Sequence, residues 1–226
     1  MIAARKDAAL DIAIVIVAIV AAWAITRLVL YPALGIPEYF PAILRPILGF
    51  VAATVLLARR GESWKSLGLR KPDKVWIAIV GALALYAVNW ALSEWAVPFI
   101  AEIVEPRPQP SFMGYVRGNL NAFLMWIAIG WIVGGFMEEA LFRGFLLTRV
   151  SQLFTNRGVG LAAGVVAQAL LFGALHLYAG GFAFIFASTL ALASGVFYLL
   201  LGRNLWPLIA VHGAWNTVAI WGVYSS

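Results

Sequence analysis

Three short clusters hold the residues whose types and spacing could do chemistry. The first is Glu138-Glu139-Ala140-Leu141-Phe142-Arg143, set between apolar Trp131-Ile132-Val133 and Phe145-Leu146-Leu147. The other two, Phe172-Gly173-Ala174-Leu175-His176 and His212-Gly213-Ala214-Trp215-Asn216, contain the only two histidines of the chain. On a helix, Glu139 and Arg143 stand four residues apart and share a face, while Glu138 is turned away by about 100°. One carboxylate is then neutralised by its own helix, and the other is left as a candidate general base. The plainer reading is a helix-end ion pair beside one solvated glutamate, but two adjacent acids amid such apolar sequence serve no packing purpose. His212 and Asn216 also share a helix face, where two neutral hydrogen-bond donors could converge on a developing oxyanion. Gly213 and Ala214 between them permit close approach by a neighbouring backbone. Each histidine alone also reads as an interhelical hydrogen bond, a reading that weakens beside the acidic pair.

The elements that must position these residues are apolar and long. Hydrophobic residues make up 63% of the 226 and charged residues only 12%, against about 25% charged in an ordinary soluble domain. The apolar residues fall in runs of the length that crosses a bilayer, roughly 20 residues per helix. Seven runs are read, at 9–31, 41–58, 75–100, 119–137, 159–178, 181–201 and 205–223, the fourth continuing as a helix to about 153. They predict an all-α, polytopic transmembrane helical bundle of seven to eight helices with an internal polar cavity, as a single domain over 1–226. An ionised group within a span tends to be paired, to face a cavity or to be functional. Cysteine is absent, which excludes disulfides, thiolate nucleophiles and cysteine-held metal clusters. Arg5, Lys6 and the apolar stretch after them resemble a signal peptide, with Ala22-Trp23-Ala24 as a conceivable cleavage site. The run exceeds the roughly 7–15 residues of a signal core, so an uncleaved first span is expected.

A net charge of +6 does not point to nucleic acid, because the bases are distributed by connection. Arg59, Arg60, Lys65, Arg70, Lys71 and Lys74 follow the second run; Arg143, Arg149 and Arg157 follow the fourth, and Arg203 follows the sixth. The positive-inside rule places these connections, with the amino terminus, on the cytoplasmic side of the cell membrane. The alternate connections carry Glu38, Glu102 and Glu105. Trp64, Trp76, Trp95, Trp206 and Trp221 fall near span ends, where indole rings favour the interface. The segment 59–74 reads as a helix or turn on the cytoplasmic surface. Residues 105–110, Glu-Pro-Arg-Pro-Gln-Pro, read as a stiff extended loop. Straight spans would set Glu138 near the cytoplasmic end of the fourth and His176 near the outer end of the fifth. For them to meet, either the fourth helix runs on past Arg143, or the fifth begins later and the Gly180-Gly181 connection lies within the membrane.

Together the three motifs, Glu-Glu-x-x-x-Arg, Phe-x-x-x-His and His-x-x-x-Asn, resemble in order and spacing the CPBP family of CAAX proteases and bacteriocin-processing enzymes, also called the Abi family. Residues 140–147 and the earlier Ser66-Leu67-Gly68-Leu69-Arg70 are also similar, extending the resemblance over about 60–226. It implies an intramembrane endopeptidase of glutamate type, related to the Ras-converting CAAX endopeptidases. Glu138 and His176 would activate a water, His212 and Asn216 would stabilise the oxyanion, and Glu139 and Arg143 would hold the site together. The implied substrate is a membrane-associated or prenylated peptide or protein, with the lipid bilayer as surroundings, no nucleic-acid partner, and neither cofactor nor metal. Two histidines and a glutamate could instead bind zinc, though the HExxH helix is missing. Ser188 and Ser194 lack a neighbouring histidine and acid. A non-catalytic membrane scaffold of the same family and a proton-coupled carrier are the readings from other classes.

Overall fold

The computed structural model describes residues 2–35, 40–104 and 111–226. Glu38, Glu105 and the proline-rich stretch 105–110 lie outside the described residues. Among the described residues every regular element is helical, the form that satisfies its own backbone inside hydrocarbon. The helices are α1 (2–34), α2 (Phe40–Arg59), α3 (Val75–Ile103), α4 (Leu120–Ser151), α5 (Arg157–Ala174), α6 (Gly181–Leu200) and α7 (Trp206–Tyr224). The first six are long and apolar enough to cross a membrane. Helix α7, at 19 residues, is one residue shorter than α2, and it carries the polar His212 and Asn216. This is the multi-pass helical membrane bundle that the runs predict.

Helix α4 is the axis of the bundle. Its residues 139–150 are buried without interruption, as expected of a helix apolar on all sides. Helices α1, α2, α5 and α7 pack against it, and α3 closes over α6 and α7. Leu141, Phe142, Phe145 and Leu146 join one core with Val15, Ile19, Leu57 and Phe172. Ala140 and Leu147 join a second core with Leu85, Val165, Tyr198 and Leu208. The outer helices leave large apolar side chains uncovered, among them Val17 and Trp23 of α1 and Trp76, Leu83 and Trp90 of α3. Such a belt suits a hydrocarbon surround and would be costly in water.

Two expectations change in detail. Helix α4 runs unbroken past Arg143 to Ser151, which sets Glu138 near its middle and resolves the depth conflict by the first of the two routes. Helix α5 stops at Ala174, so His176 sits in a turn and not in a span. The turn closes because His176 Nδ1 takes the Phe172 carbonyl at 2.9 Å. Gly180, at φ 98°, then adopts a backbone that favours glycine and starts α6.

The connection 59–74 folds as largely exposed turns, as expected, but tucks Leu67 and Gly68 into the bundle. Leu67 is buried, its carbonyl accepts the Tyr198 hydroxyl at 2.8 Å, and Leu205 N donates to Gly68 O at 3.0 Å. Trp64 stacks on Phe50 with centroids 4.8 Å apart, so it serves packing, whereas Trp76, Trp95, Trp206 and Trp221 are exposed. At the same end, buried Asp11 of α1 pairs with Arg60 at 2.8 Å and Arg149 at 2.9 Å, and Arg149 reaches Glu62 at 2.8 Å. Asn204 binds the Arg70 carbonyl. The basic connections after α2, α4 and α6 therefore meet at one end of the bundle.

Candidate active site

The acidic pair lies on an unusual piece of helix. Residues Gly130–Glu138 and Ala140–Leu146 of α4 are π-wound, with Glu139 between them. Such winding is rare and concentrates at functional sites. Glu139 is buried, and its Oε1 meets Arg143 Nη1 at 3.1 Å, the pair that the four-residue step predicts. The same oxygen lies 2.7 Å from His212 Nδ1. Glu138 is half-buried, and its carboxylate makes no hydrogen bond among the described residues; His212 Nε2 is 3.8 Å away.

The surroundings of each histidine fix its proton. The Phe172 carbonyl can only accept, so His176 carries its proton on Nδ1 and a neutral ring presents a lone pair at Nε2. Glu139, held as a carboxylate by Arg143, likewise accepts from His212 Nδ1–H. His212 can then donate from Nε2 only as imidazolium, whereas the spacing was read as two neutral donors. Asn216 gives one amide hydrogen to Gly130 O at 2.9 Å and keeps the second. Its approach depends on Gly134, where a Cβ would stand 2.5 Å from Asn216 Nδ2.

Phe172 is the hub of the constellation. Its ring lies 4.8 Å from that of His176 and 6.0 Å from that of His212, and the Arg143 guanidinium covers it at 4.6 Å. The ring thus spaces the imidazoles and gives Arg143 a cation–π contact beyond its single ion pair. Glu138, His176, His212 and Asn216 line one cavity of about 300 Å³. His176, His212 and Asn216 also line a second, of about 410 Å³, together with Glu139 and Arg143. All six residues singled out by spacing are therefore brought to one place. Among the described residues no group of three or more His, Asp or Glu side chains is arranged to hold a metal ion.

Spacing alone missed Arg45, Asn89 and Asp11, and weighed Ser194 only as a serine without a neighbouring histidine and acid. Arg45 of α2 is buried with its guanidinium 5.7 Å from the Tyr178 ring centre, and its charge acts on Glu138. Asn89 and Ser194 are buried at the wall of the larger cavity, and Asp11 is the buried anchor of the ion network. Each is a polar side chain inside an apolar run, the very signal that marked the acidic pair. A family model described as type II CAAX prenyl endopeptidase Rce1-like matches residues 120–218, from the start of α4 into α7. Residues 66–70, part of the wider resemblance, fall outside it. Comparisons with curated proteins and with solved structures gave no match. Over residues 120–218, which carry all six residues of the constellation, the chain is similar to the Rce1-like CAAX prenyl endopeptidases.

Proposed function

We propose that the protein is an intramembrane endopeptidase that cleaves a membrane-associated or prenylated, CAAX-type peptide, with Glu138 and His176 as bases and His212 and Asn216 as oxyanion donors. The observation that carries this reading is the unequal treatment of the two acids. Glu139 is held twice, while Glu138 faces a cavity shared with both imidazoles and has no hydrogen bond among the described residues. A water between Glu138 and His176 Nε2 loses a proton as its oxygen attacks the scissile carbonyl carbon. Negative charge then collects on the carbonyl oxygen, against Asn216 Nδ2–H and His212 Nε2–H. The proton passes to the departing nitrogen as the C–N bond breaks.

The hydrogen bonds support these roles: Glu139 engages His212 at Nδ1, which leaves Nε2 for the cavity that His212 lines with Glu138 and Asn216. We also place the basic end of the bundle, with the amino terminus, on the cytoplasmic side of the cell membrane, following the positive-inside rule.

The test is cleavage of a prenylated CAAX-type peptide and of a panel of membrane-segment peptides by purified protein, with and without chelator. Glu138→Gln keeps the shape of the side chain and removes the base, so activity should fall roughly 100- to 10,000-fold with melting behaviour unchanged. Full activity in that variant overturns the assignment. Loss of activity with chelator redirects it to a metallopeptidase, and no cleavage of any peptide leaves a scaffold.

A further inference from the structure

The larger cavity does not end at the histidines. It continues between α3, α6 and α7 along Phe182, Phe186 and Trp215 to Asn89 of α3 and Ser194 of α6. Asn89 is 6% exposed and Ser194 7%. Neither side chain makes a hydrogen bond among the described residues, and Asn89 Oδ1 is wholly enclosed without a partner. Gln168 Oε1 and Ser188 Oγ are enclosed without a partner as well, but neither residue lines this cavity. An unpaired carboxamide beside an apolar wall is destabilising, and leucine would fill the same volume without that penalty.

Resting on the peptidase reading above, we propose that Asn89, with Ser194 across the cavity, is a binding subsite for the backbone of the bound peptide, away from the bond that is cut. A peptide drawn into this apolar cavity must find partners for each N–H and C=O that leaves water. With Oδ1 enclosed, Asn89 is left its Nδ2–H groups, donors for a peptide carbonyl. The serine hydroxyl adds a second group that both donates and accepts. The apolar wall between this pair and the histidines suits the side chains of the residues in between. Asn89 therefore governs how tightly and in which register the peptide is held, and His176, His212 and Asn216, which line the same cavity, meet it at the scissile bond.

The experiment measures binding in the Glu138→Gln background, so that no turnover intervenes. The probe is a fluorescent farnesylated CAAX-type peptide, and a series of analogues in which each backbone amide in turn is replaced by an ester, which removes one N–H and weakens the adjoining carbonyl as an acceptor. Asn89→Leu should weaken binding of the parent peptide about five- to tenfold while melting at the same temperature as its background or higher. One ester position that weakens binding to the background protein should make no difference to Asn89→Leu. Ser194→Ala supplies the same comparison should Asn89→Leu fail to fold. The subsite is overturned if both variants bind the parent and every ester analogue as the background does, or if Asn89→Leu keeps the same response at every ester position. Cleavage by the unmutated protein with no effect of Asn89 or Ser194 removes the subsite alone. Neither binding nor cleavage of any peptide removes the peptidase reading and the subsite together.

Discussion

At the scale of single residues, the site works through which atom holds which proton. His176 and His212 each have Nδ1 engaged, one by the Phe172 carbonyl and one by the Glu139 carboxylate. The ring of His176 is thereby fitted to accept at Nε2, whereas His212 can donate there only when charged. Glu138 and His212 stand 3.8 Å apart. His212→Ala should lower kcat about 100- to 1,000-fold, the loss of one oxyanion donor, and an unchanged kcat would remove His212 from the site.

At the scale of elements, α4 and α7 form the jaw of the site. The match between Gly130, Gly134 and Asn216 sets its opening: Asn216 rests on the Gly130 carbonyl, and Gly134 leaves room for its amide. Gly134→Ala places a methyl group 2.5 Å from Asn216 Nδ2, so the amide must swing away from the oxyanion position. Overpacking of this kind destabilises by about 1–3 kcal/mol. Loss of one oxyanion donor lowers kcat by about 100- to 1,000-fold. A melting curve and a kcat measured on the same preparation separate the two effects, and kcat should fall far more than stability predicts. Normal turnover would mean that Asn216 has no part in the transition state.

At the scale of the whole molecule, one buried carboxylate ties the first helix to the central one. Asp11 holds both Arg60 and Arg149, and Arg149 in turn holds Glu62. Removing one partner of a buried ion pair costs about 3–5 kcal/mol, because the other charge is left uncompensated. Asp11→Ala should lower stability by about that amount, read by thermal or denaturant unfolding in detergent, while KM of the surviving folded protein stays near its starting value. An unchanged melting temperature would show that the network is dispensable. What the sequence determined by itself is local or statistical. Helical spacing placed Glu139 against Arg143, left Glu138 unpaired and set His212 with Asn216 on one face, because a helix repeats its geometry within a turn. Length and apolarity likewise announced a membrane bundle, since only a self-satisfied backbone survives in hydrocarbon. What the tertiary structure decided lies between residues far apart in the chain. The contact of His212 with Glu139 spans 73 positions, and the clamp of Asp11 on Arg60 spans 49. The end of α5 before His176 and the placing of Asn89 and Ser194 on one cavity follow from how helices seat against one another. Helix packing is settled by the shapes of whole faces, which no local period in the sequence encodes.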